Sequence, residues 1–296
     1  MFDTLRARPL YYVMLSVRQL STRHEHTPLQ TGRLISVLVD THAHVQVRQF
    51  DADREAIIQA ALAAGIERII VPGTDLPSSL SAVELARAFP GRLFAAVGTH
   101  PHDAETLTEE TLAVLRELAR SPEVVAIGEI GLDYFRDLSP RTVQRDALVA
   151  QFALARELDL PVILHNRDSF GDLMELLRAH GNELTGVFHC FIGDIAMARQ
   201  VLDIGFYLSF AGPVTYPRNT ELAEVARWAP ADRILVETDS PYLAPQPVRG
   251  KRNEPRNVMM TARHIANLRG MDEAELADRT SSNADTLFRL HDRIFR

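Results

Sequence analysis

The sequence predicts an α/β fold in which one parallel sheet is covered by helices. Eight short apolar segments rich in β-branched residues alternate with longer amphipathic segments along the chain. No shift in composition divides this pattern, so we expect the strands and helices to form one domain. Such an alternation is typical of the closed TIM-type (β/α)8 barrel. We therefore predict that fold, with extra helices at the C-terminus, and an open doubly wound sheet is the alternative.

The predicted strands are short runs in which nearly every residue is apolar. Parallel strands need this composition, because helices cover the outer face of the sheet and side chains fill its inner face. The runs are Leu34–Val39, Ile66–Val71, Leu93–Val97, Val124–Ile127, Pro161–Leu164, Gly186–Phe188, Gly205–Ser209 and Ile234–Val236.

The predicted helices carry apolar residues every three or four positions, as Leu112, Leu115 and Leu118 do. Ser139 followed by Pro140 predicts a helix start, since serine can cap a helix and proline fits its first turn. The helical segments are Asp53–Ala64, Ser78–Ala88, Glu109–Arg120, Pro140–Leu158, Phe170–Ala179, Asp194–Leu202 and Glu221–Trp228, followed by tail helices within Glu254–Leu268 and Asp272–Arg289.

Residues 1–33 do not follow this alternation. They contain seven histidine or arginine residues and an apolar run, Pro9–Val17, that lacks the small-residue cleavage site of a secretory signal. We predict that residues 1–33 are an N-terminal extension, either flexible or the product of a mis-assigned start, and that residues 34–296 form the barrel domain. The barrel domain then has a length close to the roughly 250 residues that are typical of an eight-fold barrel.

The composition restricts the compartment and the general charge. The single cysteine, Cys190, and the lack of a long apolar run predict a cytoplasmic protein without a membrane segment. The 32 basic and 39 acidic residues give a net charge of −7, so bulk charge does not attract nucleic acid. A site for a polyanion would need metal ions or a local basic patch.

The polar residues best suited to chemistry follow predicted strands, and the carboxyl ends of all strands in a barrel meet on one face. In extended chain, histidines two residues apart face the same way and can reach one ion. Four histidines and two carboxylates exceed what one ion requires, so they predict two divalent metals bridged by a carboxylate and a hydroxide. These residues are His42 and His44 after the first strand, Glu129 after the fourth, His165 after the fifth, His189 at the sixth and Asp239 after the eighth.

The alternative for each histidine is an ordinary surface or core role, which is the more frequent one for a histidine taken alone. A single His-X-His pair is also weak support for a metal site. Ligand-type residues at five strand ends of one predicted barrel are hard to obtain by chance.

Seven motifs, in order, are DTHAH (Asp40–His44), GTHPHD (Gly98–Asp103), IGEIGLDY (Ile127–Tyr134), LHNRD (Leu164–Asp168), FHCFIG (Phe188–Gly193), ETDSPYLAP (Glu237–Pro245) and RGKRNEP (Arg249–Pro255). Together they resemble the TatD-type metal-dependent deoxyribonucleases of the amidohydrolase-like superfamily. The resemblance covers about residues 35 to 290. The first 33 residues depart from the family's pattern, whose members start a few residues before the first motif.

The resemblance implies a hydrolase that cleaves phosphodiester bonds of DNA, as a 3′–5′ exonuclease on single strands or strand ends. It implies two divalent metal ions per chain, Zn, Mn or Mg. Imidazole ligands favour Zn²⁺ or Mn²⁺, whereas phosphodiester hydrolysis by such enzymes often uses Mg²⁺. By analogy, the first metal is held by His42, His44 and Asp239, the second by His165 and His189, and Glu129 bridges them.

Further residues are predicted to act in catalysis or substrate binding. Asp239 would serve as general base beside the bridging water, with Glu129 as its catalytic partner and Glu237 as a support. His100 follows the third strand, and the resemblance implies that it contacts phosphate or transfers a proton. Substrate contacts are predicted for His102, Arg136, Arg167, Arg249, Lys251 and Arg252.

Each of these assignments has an alternative. His102 can be a loop histidine held by hydrogen bonds, and the cluster Arg249–Asn253 can be a solvated face rather than a contact for the nucleic-acid backbone. The sequence has no run of aromatic residues that would mark a long stacking platform, which favours a strand end over an extended duplex.

The same metal site can also hydrolyse an ester or amide, because the fold does not determine the bond. The resemblance includes this alternative, since some members of the family are associated with the removal of D-amino acids from mischarged tRNA. A non-catalytic nucleic-acid-binding protein is disfavoured by the acidic net charge and the complete ligand set. The sequence indicates no obligate protein partner.

Overall fold

The computed structural model describes residues 38–294, with the backbone alone for the last two, so the predicted extension of residues 1–33 lies outside the described part. Its strands are β1 (Leu38–Asp40), β2 (Ile66–Pro72), β3 (Leu93–Val97), β4 (Val124–Asp133), β5 (Val162–Arg167), β6 (Gly186–Phe188), β7 (Tyr207–Phe210) and β8 (Ile234–Val236).

Seven helices connect these strands, and three more follow β8. None of the helices in the described range is long and apolar enough to cross a membrane. They are α1 (Arg54–Ala63), α2 (Leu76–Ala88), α3 (Glu109–Ala119), α4 (Arg141–Glu157), α5 (Phe170–His180), α6 (Ile195–Asp203), α7 (Thr220–Trp228), α8 (Val258–Arg269), α9 (Glu273–Phe288) and α10 (Leu290–Ile294).

The strands form one parallel sheet in sequence order, and its two ends meet. Beyond β1 and β8, the backbone N–H of Thr41 donates to the Val236 carbonyl (3.2 Å) and that of Asp239 donates to the His42 carbonyl (2.8 Å). A parallel bridge between Ala43 and Ser240 continues this contact. The predicted barrel with extra C-terminal helices is therefore confirmed, and the open sheet is excluded.

Two strands extend several residues past their predicted ends. β4 continues past Ile127 to Asp133, and β5 continues past Leu164 to Arg167, with Gly131 paired to His165. The prediction ended both strands where polar residues begin, but the backbone ladder continues while those side chains face the pocket. Glu129 and His165 therefore lie within strands rather than after them.

The start of α4 also differs from the prediction. Ser139 does not cap the helix; its hydroxyl donates to the carbonyl of His102 (2.8 Å), and α4 begins after Pro140 without a side-chain cap. This contact ties the loop after β4 to the loop after β3.

Alternate residues of each strand pack into two separate apolar clusters, as the side-chain period of two requires. Leu38, Ile69 and Val71 pack outward against the helices. Val39 and Ile70 pack into the barrel interior, where the end of α9 joins them. At this amino-terminal end, interior-facing Arg68 pairs with Asp285 of α9. Side chains therefore fill the barrel interior at the amino-terminal ends of the strands. The polar site lies at the carboxyl ends.

Candidate metal centre

The first group of donor atoms lies where β1 and β8 end. The Nε2 atoms of His42 and His44 are 3.1 Å apart. Oδ1 of Asp239 lies 3.5 Å from Nε2 of His44 and 3.8 Å from Nε2 of His42. Asp239 has a left-handed backbone (φ 55°), a conformation that aspartate tolerates better than most residues. These three side chains form a group of buried atoms that could hold one metal ion.

The second group lies at the ends of β5 and β6. Nδ1 of His165 and Nε2 of His189 are 3.3 Å apart, and each is 2.9 Å from Oε1 of Glu129. Nε2 of His100 is 3.4 Å from the same oxygen. The structure thus brings His100, which was predicted to be catalytic, to the predicted ligands of the second metal.

Glu129 lies between the two groups. Its Oε1 faces the second group, and its Oε2 lies 3.3 Å from Nε2 of His42 and 3.4 Å from Nε2 of His44. The side chain is buried in the middle of β4. One carboxylate therefore presents a separate oxygen to each set of imidazole nitrogens.

Two outer carboxylates orient the histidines of the second group. Nε2 of His165 lies 3.0 Å from Oδ2 of Asp133, and Nδ1 of His189 lies 3.2 Å from Oε1 of Glu237. Glu237 also accepts from the Ser209 hydroxyl (2.5 Å) and the Cys190 backbone N–H (2.6 Å). When each ring donates its outer N–H to a carboxylate, its inner nitrogen keeps a lone pair directed at the centre.

The donor set fits bound cations. Inner nitrogen lone pairs 3.1 to 3.3 Å apart repel each other unless positive charge lies among them. Burial alone would lower the pKa of His44, but hydrogen bonds with Asp239 and Glu129 outweigh it and raise the pKa to about 9. Burial would likewise lower the pKa of His189, yet the Glu129 charge raises it well above its ordinary value. The cluster attracts cations, and imidazole with carboxylate is a ligand set for Zn²⁺ or Mn²⁺.

His100 presents a different atom to the pocket. Its Nδ1 accepts a hydrogen bond from the backbone N–H of His102 (3.1 Å), so in the neutral ring Nε2 carries the proton. Burial, with a smaller contribution from neighbouring histidines, lowers the pKa of His100 to about 4 despite the Glu129 charge. His100 therefore points a hydrogen-bond donor into the pocket.

His102 is more exposed than His100, and a buried carboxylate fixes its ring. Its Nε2 lies 2.8 Å from Oδ2 of Asp133, the oxygen that also faces His165. Asp133 thus connects His102 to a predicted metal ligand. His102 was predicted to contact substrate, with a loop histidine held by hydrogen bonds as the alternative. This geometry matches the alternative.

The basic side chains that were predicted to bind substrate differ in the partners that they already have. Arg252 makes a bidentate ion pair with Asp53 (2.6 and 2.9 Å), so its guanidinium is already engaged. Arg249 lies over the ring of Tyr216 at 4.3 Å. The side chains of Arg136, Arg167 and Lys251 are exposed and have no ion pair among the described residues.

Sequence reasoning assigned no role to Asp40, which is fully buried. It accepts hydrogen bonds from the Thr238 hydroxyl (2.6 Å), the Thr238 N–H (2.9 Å) and the His42 N–H (3.3 Å). Burial raises its pKa to about 8 despite these hydrogen bonds. Asp40 links the segments that carry His42 and Asp239. Its position at the end of a buried strand was the available signal.

Gly131 lets β4 approach β5 at this site. A Cβ at this position would lie 1.9 Å from the His165 carbonyl oxygen, and φ is 151°. We expect Gly131→Ala to lower the free energy of unfolding by about 3 kcal/mol or more, measured by denaturant titration.

Gly171→Ala is the matched control, because nothing lies within 4 Å of its Cβ position in α5. It should leave stability unchanged or raise it by up to about 1 kcal/mol. Equal stability of the two variants would contradict the close approach at Gly131.

Known proteins match this chain over the part that forms the barrel. The TatD related DNase family matches residues 39–289. The uncharacterized metal-dependent hydrolase YabD of Bacillus subtilis is 45% identical over 86% of this chain and 100% of its own length. The 3′-5′ ssDNA/RNA exonuclease TatD of Pantoea vagans is 39% identical, with the same coverage of both chains.

A solved structure extends this likeness to the fold. The crystal structure of YJJV, a TatD homologue from Escherichia coli K12, has a TM-score of 0.81 and 33% identity, and the match covers 86% of this chain and 99% of that one. Sequence and structure agree over the barrel that carries the buried histidines and carboxylates. The chain belongs to the TatD family of metal-dependent hydrolases.

Proposed function

We propose that this protein hydrolyses phosphodiester bonds of DNA and removes nucleotides from the 3′ end of single strands. The observation that carries the proposal is the position of Glu129, whose two oxygens face two separate groups of histidines. Two metal sites that share a bridging carboxylate are suited to an in-line displacement at phosphorus.

Two divalent ions at this centre would provide a hydroxide at neutral pH and would neutralise charge on the phosphoryl oxygens. The candidate ligands are His42, His44 and Asp239 for one ion and His165 and His189 for the other, with Glu129 shared. We assign to Asp239 the role of proton acceptor, because its carboxylate lies at the centre and remains slightly exposed.

We assign to His100 a direct contact with the substrate. Its Nε2–H can donate to a phosphoryl oxygen as negative charge develops there, and its Nδ1 is held by the His102 N–H. In this proposal Asp133 is a positioning residue, since it fixes His165 and His102 together.

Two observations support a nucleic-acid strand as the substrate: exposed basic side chains at the mouth of the pocket and the name of one relative. The exposed side chains of Arg136, Arg167 and Lys251 can receive a phosphate backbone, although the whole chain carries a net charge of −7. The Pantoea vagans relative is named as an exonuclease of single-stranded DNA and RNA.

The test is hydrolysis of a 5′-labelled single-stranded DNA by protein that has been stripped of metal and reloaded with Mg²⁺, Mn²⁺ or Zn²⁺. We expect a ladder that shortens from the 3′ end, no cleavage by the stripped protein, and two metal ions per chain by elemental analysis. Absence of nucleotide release with every metal would refute the nuclease. Release of product from an ester or amide substrate in its place would identify the other activity.

A further inference from the structure

The mouth of the pocket has an exposed apolar rim. Among the described residues, the four most exposed large hydrophobic side chains are Leu138 (60%), Phe135 (59%), Ile192 (58%) and Tyr242 (48%). All four lie on loops that follow β4, β6 or β8, and therefore on the face that carries the metal centre. Exposed apolar side chains concentrated on one face indicate a surface that contacts another molecule.

Phe135 and Arg167 form a pair within this rim. The guanidinium carbon of Arg167 lies 3.9 Å from the centroid of the Phe135 ring. Because Arg167 covers the ring while more than half of Phe135 remains exposed, the ring keeps an open surface. Arg167 has no carboxylate partner in the described part of the chain, so its charge is available to an anion.

This pair is held in a fixed position relative to the metal centre. Oδ1 of Asp133 accepts hydrogen bonds from the backbone N–H groups of Phe135 (3.0 Å) and Arg136 (2.8 Å). The other oxygen of the same carboxylate faces His165 (3.0 Å). The Tyr134 N–H also donates to the Arg167 carbonyl (2.9 Å). The loop that carries the ring is therefore tied to a candidate metal ligand through one side chain.

We propose that Phe135 and Arg167 form a stacking shelf for an unpaired nucleobase at the 3′ end of a single strand. The base would lie on the open surface of Phe135, and the adjoining phosphate would meet the Arg167 guanidinium. An aromatic ring beside an uncompensated cation matches both parts of a nucleotide, and every base offers a π face. The inference rests on the proposed nuclease function and names the feature of the substrate that is read.

The test compares initial rates of the metal-loaded protein on two single-stranded DNAs, one ending in a normal 3′ nucleotide and one in which the 3′-terminal nucleotide is abasic. We expect Phe135→Ala to raise KM for the normal strand about tenfold with kcat little changed, and Phe135→Trp to restore KM. The wild-type protein should show the same rise in KM on the abasic strand, and Phe135→Ala should show no additional rise there.

The matched control is Leu80→Ala, which removes an exposed apolar side chain of α2, outside the rim, without removing an aromatic face. It should leave KM unchanged. An unchanged KM for Phe135→Ala, or an equal rise for Leu80→Ala, would overturn the stacking shelf while the nuclease function stands. Failure of the wild-type protein to cut either strand would instead refute the nuclease function, and the shelf with it.

Discussion

Replacing Glu129 by glutamine should remove at least one metal ion per chain and slow phosphodiester hydrolysis on the order of 10³-fold. The carboxylate lies 2.9 Å from nitrogens of His165 and His189 and 3.3 to 3.4 Å from those of His42 and His44. Glutamine keeps the shape but removes the negative charge. It also presents an NH₂ group to one set of lone pairs, so one side of the centre loses its shared ligand.

Metal content by elemental analysis and the rate at saturating DNA are the two measurements. The control is Glu123→Gln, which makes the same chemical change just before the opposite end of β4, where Glu123 lies near Ser121 and Arg87. The control should keep both metals and the full rate. A Glu129→Gln protein with two metals and normal activity would show that this carboxylate does not bridge.

The barrel was predictable because its cause is local and repeated. Runs such as Leu93–Val97 and Ile234–Val236 are apolar throughout, and the structure gives them the predicted bounds. The ends of β4 and β5 were not predictable from hydropathy. Past the predicted ends, the side chains of Glu129, Asp133 and His165 face the candidate metal centre, whereas Ile130 and Leu132 pack into the apolar core, and the two backbones still pair.

The metal centre was partly predictable for a topological reason. Ligand-type residues at strand ends must meet on one face of a barrel, and the structure places His42, His44 and Asp239 together. Which nitrogen faces inward could not be predicted, because it depends on outer partners. Those partners are Asp133 and Glu237 for the second group, and the His102 N–H for His100.

The aromatic members of the apolar rim, Phe135 and Tyr242, could not be recognised from the sequence because they are far apart along the chain. Phe135 and Tyr242 belong to loops that follow different strands, so they form no aromatic run. A search for aromatic residues shortly after every predicted strand would have found both.

Asp239→Asn is expected to lower the hydrolysis rate about 10³- to 10⁴-fold, even at saturating metal. The Asp239 carboxylate lies 3.5 Å from Nε2 of His44 and 3.8 Å from Nε2 of His42. Asparagine tolerates the left-handed backbone at this position, and the backbone N–H still donates to the His42 carbonyl. The fold should therefore survive while the proton acceptor is lost.

Two results separate proton transfer by Asp239 from simple metal binding. If Asp239 were only a ligand, excess metal would refill the site, since the asparagine carbonyl can still coordinate, and the rate would recover. If it accepts the proton, the rate stays low when elemental analysis finds the metals bound. Asp168→Asn is the matched control, because Asp168 follows β5, is exposed and has nearly the same φ (54°). It should retain full activity, and an equal loss there would show that the effect of Asp239→Asn is not specific to the Asp239 carboxylate.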